Sequence, residues 1–256
     1  MGRLQELFAR KDKRVLNVYC TAGYPQLDST LEVMKSLEEN GADIIELGMP
    51  YSDPLADGEV IQQSSGKALE NGMTIAVLFE QLKDMRKQVS VPVILMGYMN
   101  PVLQYGFEKF CADAQTVGVD ALILPDLPAF EFEQEYGTII KKHGLDFIFL
   151  VTPETSPERI RKLDSLSSGF LYAVSSSSTT GAAKDMGDVS VFLQQLGSYG
   201  LRNPVLVGFG IKDKESFDRA AAHANGAIIG TAFIKALHGQ TNLREATRSF
   251  LQTVIG

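Results

Sequence analysis

Hydrophobic positions cluster into eight short runs at fairly even spacing: "RVLNVYCTAG", "DIIELGMP", "VPVILMGYMNP", "DALILPDLP", "DFIFLVTPE", "GFLYAVSSS", "NPVLVGFGI" and "GAIIGTAF". Each is rich in Val, Ile, Leu and aromatics, and most end in Gly, Pro, Ser or Asp, which predicts buried strands running into loops. Hydrophobicity is nearly continuous within a run, as expected of strands covered on both faces of a parallel sheet. Between the runs the period becomes helical. "LDSTLEVMKSLEENG" sets Leu27, Leu31, Val33, Met34 and Leu37 on one side and stops at Gly41. "TIAVLFEQLKDMRKQ", "GFEKFCADAQTVG", "EQEYGTIIKKHG", "SPERIRKLDSLSSG", "DVSVFLQQLGSYG" and "DKESFDRAAAHANG" repeat the pattern. Strand, loop and helix recur without a linker, which predicts an α/β chain folded as one (β/α)8 TIM barrel over residues 1–256. A doubly wound open sheet is the alternative, but it has little use for eight such units. The start, "MGRLQELFARKDKR", reads as a short extra amphipathic helix.

Composition narrows the setting. The 256 residues are 45% apolar and 21% charged, ordinary for a soluble enzyme. A net charge of −7 argues against nucleic acid, because phosphate backbones need clustered Lys and Arg. No window approaches the run of about 20 apolar residues that spans a bilayer. The first residues lack the apolar core of a signal peptide, and Glu6 stands where a myristoylation signal wants Ser or Thr. Cys20 in a predicted strand and Cys111 in a predicted helix suit a reducing compartment. A soluble cytoplasmic protein is expected.

Barrel active sites form on the loops at the C-terminal ends of the strands. Glu46, Pro50 to Gly58, Asn100, Asp126, Ser175 to Gly181, Gly208 to Gly210, Gly230 and Thr231 all fall there. No run carries a lysine inside it, so a Schiff-base mechanism is disfavoured. The histidines, His143, His223 and His238, lie in or at the ends of predicted helices without ligand spacing. Neither a metal site nor a Ser-His-Asp triad is expected. Carboxylate acid–base chemistry is left.

Glu46 interrupts the apolar run "DIIELGMP". Side chains alternate along a strand, so if Ile45, Leu47 and Met49 pack on the helices, Glu46 points into the barrel near its mouth. Burial there should raise its pKa and suit it to giving and taking protons near neutrality. A structural role, paired to a buried Arg or bonded to backbone, has few candidate partners, since only Arg14 lies at a strand edge. Asp53 and Asp57 stand in Asp-Pro and Asp-Gly, common turn dipeptides, and from spacing alone read as structural. Glycines in "LVGFGIKD" and "AIIGTAFIK" sit where barrels commonly hold phosphate on backbone N–H groups. "SSSSTTGAAKDMG", residues 175–187, reads as a surface loop or as a lid that closes over substrate.

The stretch "ELGMPYSDPLADGEVIQ" resembles the signature of the tryptophan synthase alpha chain family, E-L-G-x-P-[FY]-S-D-P-x-A-D-G-P-x-I-Q. "TAGYP", "MGYMNPV", "DLP", "STTGA", "GFGI" and "GTAFIK" extend the resemblance over the whole chain. It implies a (β/α)8 lyase that cleaves indole-3-glycerol phosphate to indole and glyceraldehyde 3-phosphate by a retro-aldol step without metal or organic cofactor. It also implies a pyridoxal-phosphate beta chain as partner, in an alpha2-beta2 complex. By the same resemblance Glu46 moves protons at the glycerol hydroxyl and indole C3. Asp57 accepts the indole N–H, and Tyr172 stands beside the glutamate. Tyr19, Met96, Tyr98, Ile123, Leu150 and Phe209 match the indole pocket, while Thr180, Gly181, Gly210, Gly230 and Thr231 match the phosphate loops. The chain departs from the pattern at Glu59, where proline is usual, at Phe130, where glutamate is common, and in lacking the loop-six arginine. These departures leave room for a stand-alone lyase, or for a regulatory subunit that no longer catalyses.

Overall fold

The computed structural model describes residues 2–174, 186–208 and 210–256. Among them parallel strands form one sheet: β1 (Val15–Thr21), β2 (Ile44–Gly48), β3 (Val93–Met96), β4 (Ala121–Ile123), β5 (Asp146–Phe147), β6 (Leu150–Val151), β7 (Leu171–Ala173), β8 (Val205–Val207) and β9 (Gly226–Ile229). The order is β5-β4-β3-β2-β1-β9-β8-β7-β6. The ends of this order, β5 and β6, belong to the single predicted run "DFIFLVTPE". Asp146 and Phe147 pair with β4, whereas Leu150 and Val151 pair with β7. Between them the Ile148 N–H still donates to Leu122 (3.1 Å) and the Phe149 carbonyl still accepts from Tyr172 (3.0 Å). One stave thus passes from one neighbour to the other and closes the barrel, as strand tilt and stagger require. Eight runs become nine ladder segments for this reason.

The predicted helices cover the outside, with others the pattern did not mark. In chain order they are α1 (Arg3–Arg10), α2 (Thr30–Glu39), α3 (Glu59–Glu70), α4 (Ile75–Leu82), α5 (Met99–Tyr105) and α6 (Phe107–Val117). Next α7 (Ala129–Glu131) runs through a π-helical stretch, Phe132–Tyr136, into α8 (Gly137–Lys142). The last are α9 (Pro157–Leu166), α10 (Met186–Ser198), α11 (Lys214–His223), α12 (Thr231–Leu237) and α13 (Leu243–Ile255).

Strand parity divides the core. Outward residues such as Val18, Ile45, Leu47, Leu95 and Leu122 pack with the helices. Inward residues Val15, Ile44, Ile94, Ala121, Ile123, Ile148, Phe170, Leu206 and Ile228 fill the barrel. Leu4 and Leu7 of α1 join this inner cluster, and Phe8 meets Phe170 edge-on with ring centres 6.3 Å apart. The extra helix is therefore a plug for the bottom of the barrel.

The sequence pattern missed α3 because its buried side has one large apolar residue, Ile61, and is otherwise Ser64, Ser65 and Ala68. Small residues let it lie close to the barrel mouth, where the Ser64 and Thr21 hydroxyls bond at 2.7 Å. Asn71, which ends it, donates to the carbonyls of Gly23 and Pro25 (both 2.9 Å). Glu59, noted from sequence as standing where proline is usual, is the first residue of this helix. The helix dipole favours an acid there, and Glu59 accepts a bond from Gln63 one turn on (3.1 Å).

Candidate active site

β1 and β2 lie side by side in register, Tyr19 opposite Glu46 and Thr21 opposite Gly48. Parity turns Asn17, Tyr19, Glu46 and Gly48 toward the barrel axis. Glu46 is 1% exposed, and no arginine reaches it. Instead the Asn17 Nδ2 donates to Glu46 Oε2 at 2.8 Å, while Oε1 has no partner among the described residues. Burial pushes the Glu46 carboxyl up to about 8; the Asn17 bond pulls the other way and the negative charge of Asp57 adds to the rise. The group is accordingly a neutral acid at pH 7 in the free protein.

Asp57 stands in the loop between β2 and α3, half-buried. Burial raises its carboxyl to about 6, moderated by a hydrogen bond from Tyr98. The Tyr98 hydroxyl also accepts the Ala56 N–H at 3.1 Å, so one phenol fixes both the loop backbone and the carboxylate. The Tyr51 ring lies 5.5 Å from that of Tyr98 and extends the support. Asp53 differs: it is exposed and takes a bond from neighbouring Ser52 (2.5 Å). Of the two turn-type aspartates, tertiary structure brings Asp57 to Glu46 and leaves Asp53 outside.

A cavity of about 520 Å³ opens here, lined by Tyr19, Glu46, Asp57, Met96, Leu150, Tyr172, Gly210, Gly230 and Thr231, with Leu55, Ile61, Pro125, Thr152, Gly208 and Ile228 among the other wall residues. The two phenols need glycine neighbours. A Cβ on Gly48 would come within 2.0 Å of the Tyr19 hydroxyl, and one on Gly208 within 2.0 Å of the Tyr172 ring. Gly208 therefore makes room for Tyr172, whereas Gly210 has open space around its Cβ position and a φ of +67°. Burial and the neighbouring carboxyls hold both phenols well above their ordinary range, so they remain neutral donors.

Most of the residues singled out from sequence meet in this cavity, but not in one role. Tyr98 stands behind Asp57 and supports it rather than lining the wall. Ile123 is fully buried in the inner apolar cluster below. Thr180, Gly181 and Phe209, with the lid reading of residues 175–187 up to Asp185, lie outside the described residues. The sequence reading passed over Asn17 and Gly48, and it grouped Gly208 with the phosphate glycines rather than with Tyr172. Asn17 had a signal, a polar residue at inward parity inside "RVLNVYCTAG"; the glycines had none, because their neighbours are distant in sequence.

A closed (β/α)8 barrel with two carboxyl groups in one cavity at its strand ends defines the class, a barrel enzyme; no cluster of metal ligands occurs among the described residues. Comparison with known proteins makes this particular. The family model described as "Tryptophan synthase alpha chain" matches residues 5–255. The tryptophan synthase alpha chain of Flavobacterium johnsoniae is 51% identical over 229 residues, covering 89% of this chain and 90% of that one. The crystal structure of the alpha chain from Legionella pneumophila superimposes with a TM-score of 0.89 at 33% identity, covering 100% and 96% of the two chains. A chain of M. tuberculosis tryptophan synthase, in its aminoacrylate-bound form, gives 0.86 at 31% identity, covering 99% and 100%. The chain belongs to the tryptophan synthase alpha chain family. It is the lyase of tryptophan biosynthesis that cleaves indole-3-glycerol phosphate to indole and glyceraldehyde 3-phosphate.

Proposed function

We propose that Glu46 and Asp57 divide the proton transfers of this cleavage, with substrate held in the 520 Å³ cavity. Glu46 in its acid form protonates indole C3 through Oε1 while Asp57, as a carboxylate, takes the indole N–H proton. The resulting indolenine is the electron sink. Glu46, now a carboxylate, removes the proton of the glycerol hydroxyl next to C3; the C–C bond breaks and its electrons return to the ring. Asp57 gives its proton back to nitrogen. The hydroxyl proton has in effect replaced the broken bond at C3, so atoms and charge balance without a further reactant. The observation that carries this reading is that Glu46, whose Oε1 has no partner among the described residues, lines one cavity with Asp57. Two carboxyl groups with pKa values held apart, about 8 and about 6, suit one acid and one carboxylate at neutral pH. Met96, Leu150 and Ile61 offer an apolar wall to the indole, and Gly210, Gly230 and Thr231 a polar end to the phosphate.

The same reading gives the chain a pyridoxal-phosphate beta chain as partner, in an alpha2-beta2 complex in the cytoplasm. Support comes from Leu55, Leu103 and Phe130, large apolar residues 73%, 48% and 68% exposed on the loops and helices that follow β2, β3 and β4. They stand at the cavity end of the barrel. No helix among the described residues is long and apolar enough to cross a membrane. The test is indole release from indole-3-glycerol phosphate with and without the beta chain. Stimulation on mixing is expected; rapid cleavage with no response to the beta chain would instead favour a stand-alone lyase.

A further inference from the structure

The proposed chemistry uses one oxygen of Glu46, and the other is held by a residue that no motif contains. Asn17 is 0% exposed on the inward face of β1, opposite Ile44 and Ile228. Both of these register partners are apolar and belong to the inner apolar cluster. A polar amide in such surroundings is costly to bury unless its bonds are made. Here only one is made: Nδ2 donates to Glu46 Oε2, and Asn17 Oδ1 has no partner among the described residues. Stability alone would put an apolar side chain in that place. The titratable neighbours of Glu46 are Tyr19 and Cys20 on β1, Asp57 in the loop and Tyr172 on β7. Tyr19, Tyr172 and Asp57 line the cavity with it, whereas Asn17 approaches from one layer deeper.

Resting on the reading of Glu46 as the proton carrier, we infer that Asn17 is a positioning residue for the cleavage, holding Glu46 Oε2 so that Oε1 is the oxygen presented to substrate. A carboxyl that alternates between acid and carboxylate needs a partner for both states. The amide Nδ2 is such a partner: Oε2 accepts from it as part of the carboxylate and, when the proton sits on Oε1, as the carbonyl oxygen of the acid. Neither state leaves the Glu46 side chain to rotate, and Asn17 itself never changes charge. An apolar residue would satisfy neither state, and a Lys or Arg would hold only the carboxylate.

The test is Asn17→Leu in the full chain, assayed with the beta chain present. A loss of about 10- to 100-fold in kcat with KM within about twofold is expected. The alkaline limb of kcat/KM should move upward by about one pH unit, because the donor that favours the carboxylate is gone. The ionisation of Glu46 is read independently as the infrared carbonyl band that Glu46→Gln removes, and its midpoint should move with the rate. Unchanged kcat and an unmoved band midpoint in Asn17→Leu would overturn the role of Asn17. An active Glu46→Gln would instead overturn the reading of Glu46 while leaving the band shift measurable. Should Asn17→Leu not fold, Asn17→Ala carries the same test. It too removes the donor, so it must raise the band midpoint and depress kcat; if it does neither, the inference is wrong.

Discussion

The bottom and the mouth of the barrel treat buried carboxyl groups in opposite ways. At the bottom, Asp120 accepts from Arg3 (3.0 Å), from Arg86 (2.5 Å) and from the Val93 N–H (2.8 Å). Arg86 spends its remaining donors on the carbonyls of Gly118, Val89 and Val91. Everything charged there is matched, and the cluster ties α1 and the segment after α4 to the start of β4. At the mouth, Glu46 is as deeply buried yet has one neutral partner and one idle oxygen. A matched carboxylate is stable and inert. An under-matched one is held as an acid, poised to transfer a proton.

This contrast can be broken from either end. The largest effect is expected from Glu46→Gln, which should lower kcat by about 10³-fold or more while leaving the fold intact, measured as indole release. Its stability should depart from that of the parent in a defined direction. The folded pKa of about 8 lies above the ordinary 4.5, so between these values the unfolded chain binds fewer protons at this site. Parent stability therefore falls as pH rises through that window, and the advantage of Glu46→Gln in Tm should grow from pH 5 to pH 8. Equal Tm differences at both pH values would show that Glu46 ionises normally.

Asp57→Asn comes next, with an expected loss of about 10²-fold. The parent kcat/KM should be bell-shaped with limbs near pH 6 and 8, from Asp57 and Glu46. Asp57→Asn should lose the acid limb and keep the alkaline one. Asp120→Ala attacks the other end. It strands the part-buried Arg86 and should cost about 2–4 kcal/mol in denaturant unfolding, with kcat per folded molecule unchanged. The smallest effect is expected from Gly208→Ala. Its methyl would meet the Tyr172 ring, so Tyr172 must shift, at about 1–2 kcal/mol and with a rise in KM larger than the fall in kcat.

Much of the mouth was legible beforehand, for reasons particular to each residue. Glu46 could be aimed inward on the condition that Ile45, Leu47 and Met49 pack on the helices, because side chains on a strand alternate; the fold meets that condition. Asp57 could not be separated from Asp53 by spacing, since both occupy common turn dipeptides; family resemblance singled it out, and Tyr98, between β3 and α5, shows what holds it. Asn17 was overlooked because a single polar residue in an apolar run looks like noise until the neighbouring strand is known. Similarly, α3 was hidden because a helix that must lie close to a barrel mouth buries serine and alanine beside the single Ile61, which leaves no apolar stripe.

The sequence by itself determined the repeating units, the face that Glu46 shares with Ile44 and Gly48, and the family to which the chain belongs. These depend on local periodicity and on motifs contiguous in the chain. Tertiary structure decided which groups meet: Asn17 with Glu46, Tyr98 with Asp57, Gly208 with Tyr172, and Asp120 with Arg3 and Arg86. The physical reason is that proton affinity depends on burial and on partners brought from other strands. Register across a closed barrel, rather than spacing along a chain, sets both. The carboxyl that a motif marks becomes an acid near neutral pH only once the barrel has closed around it.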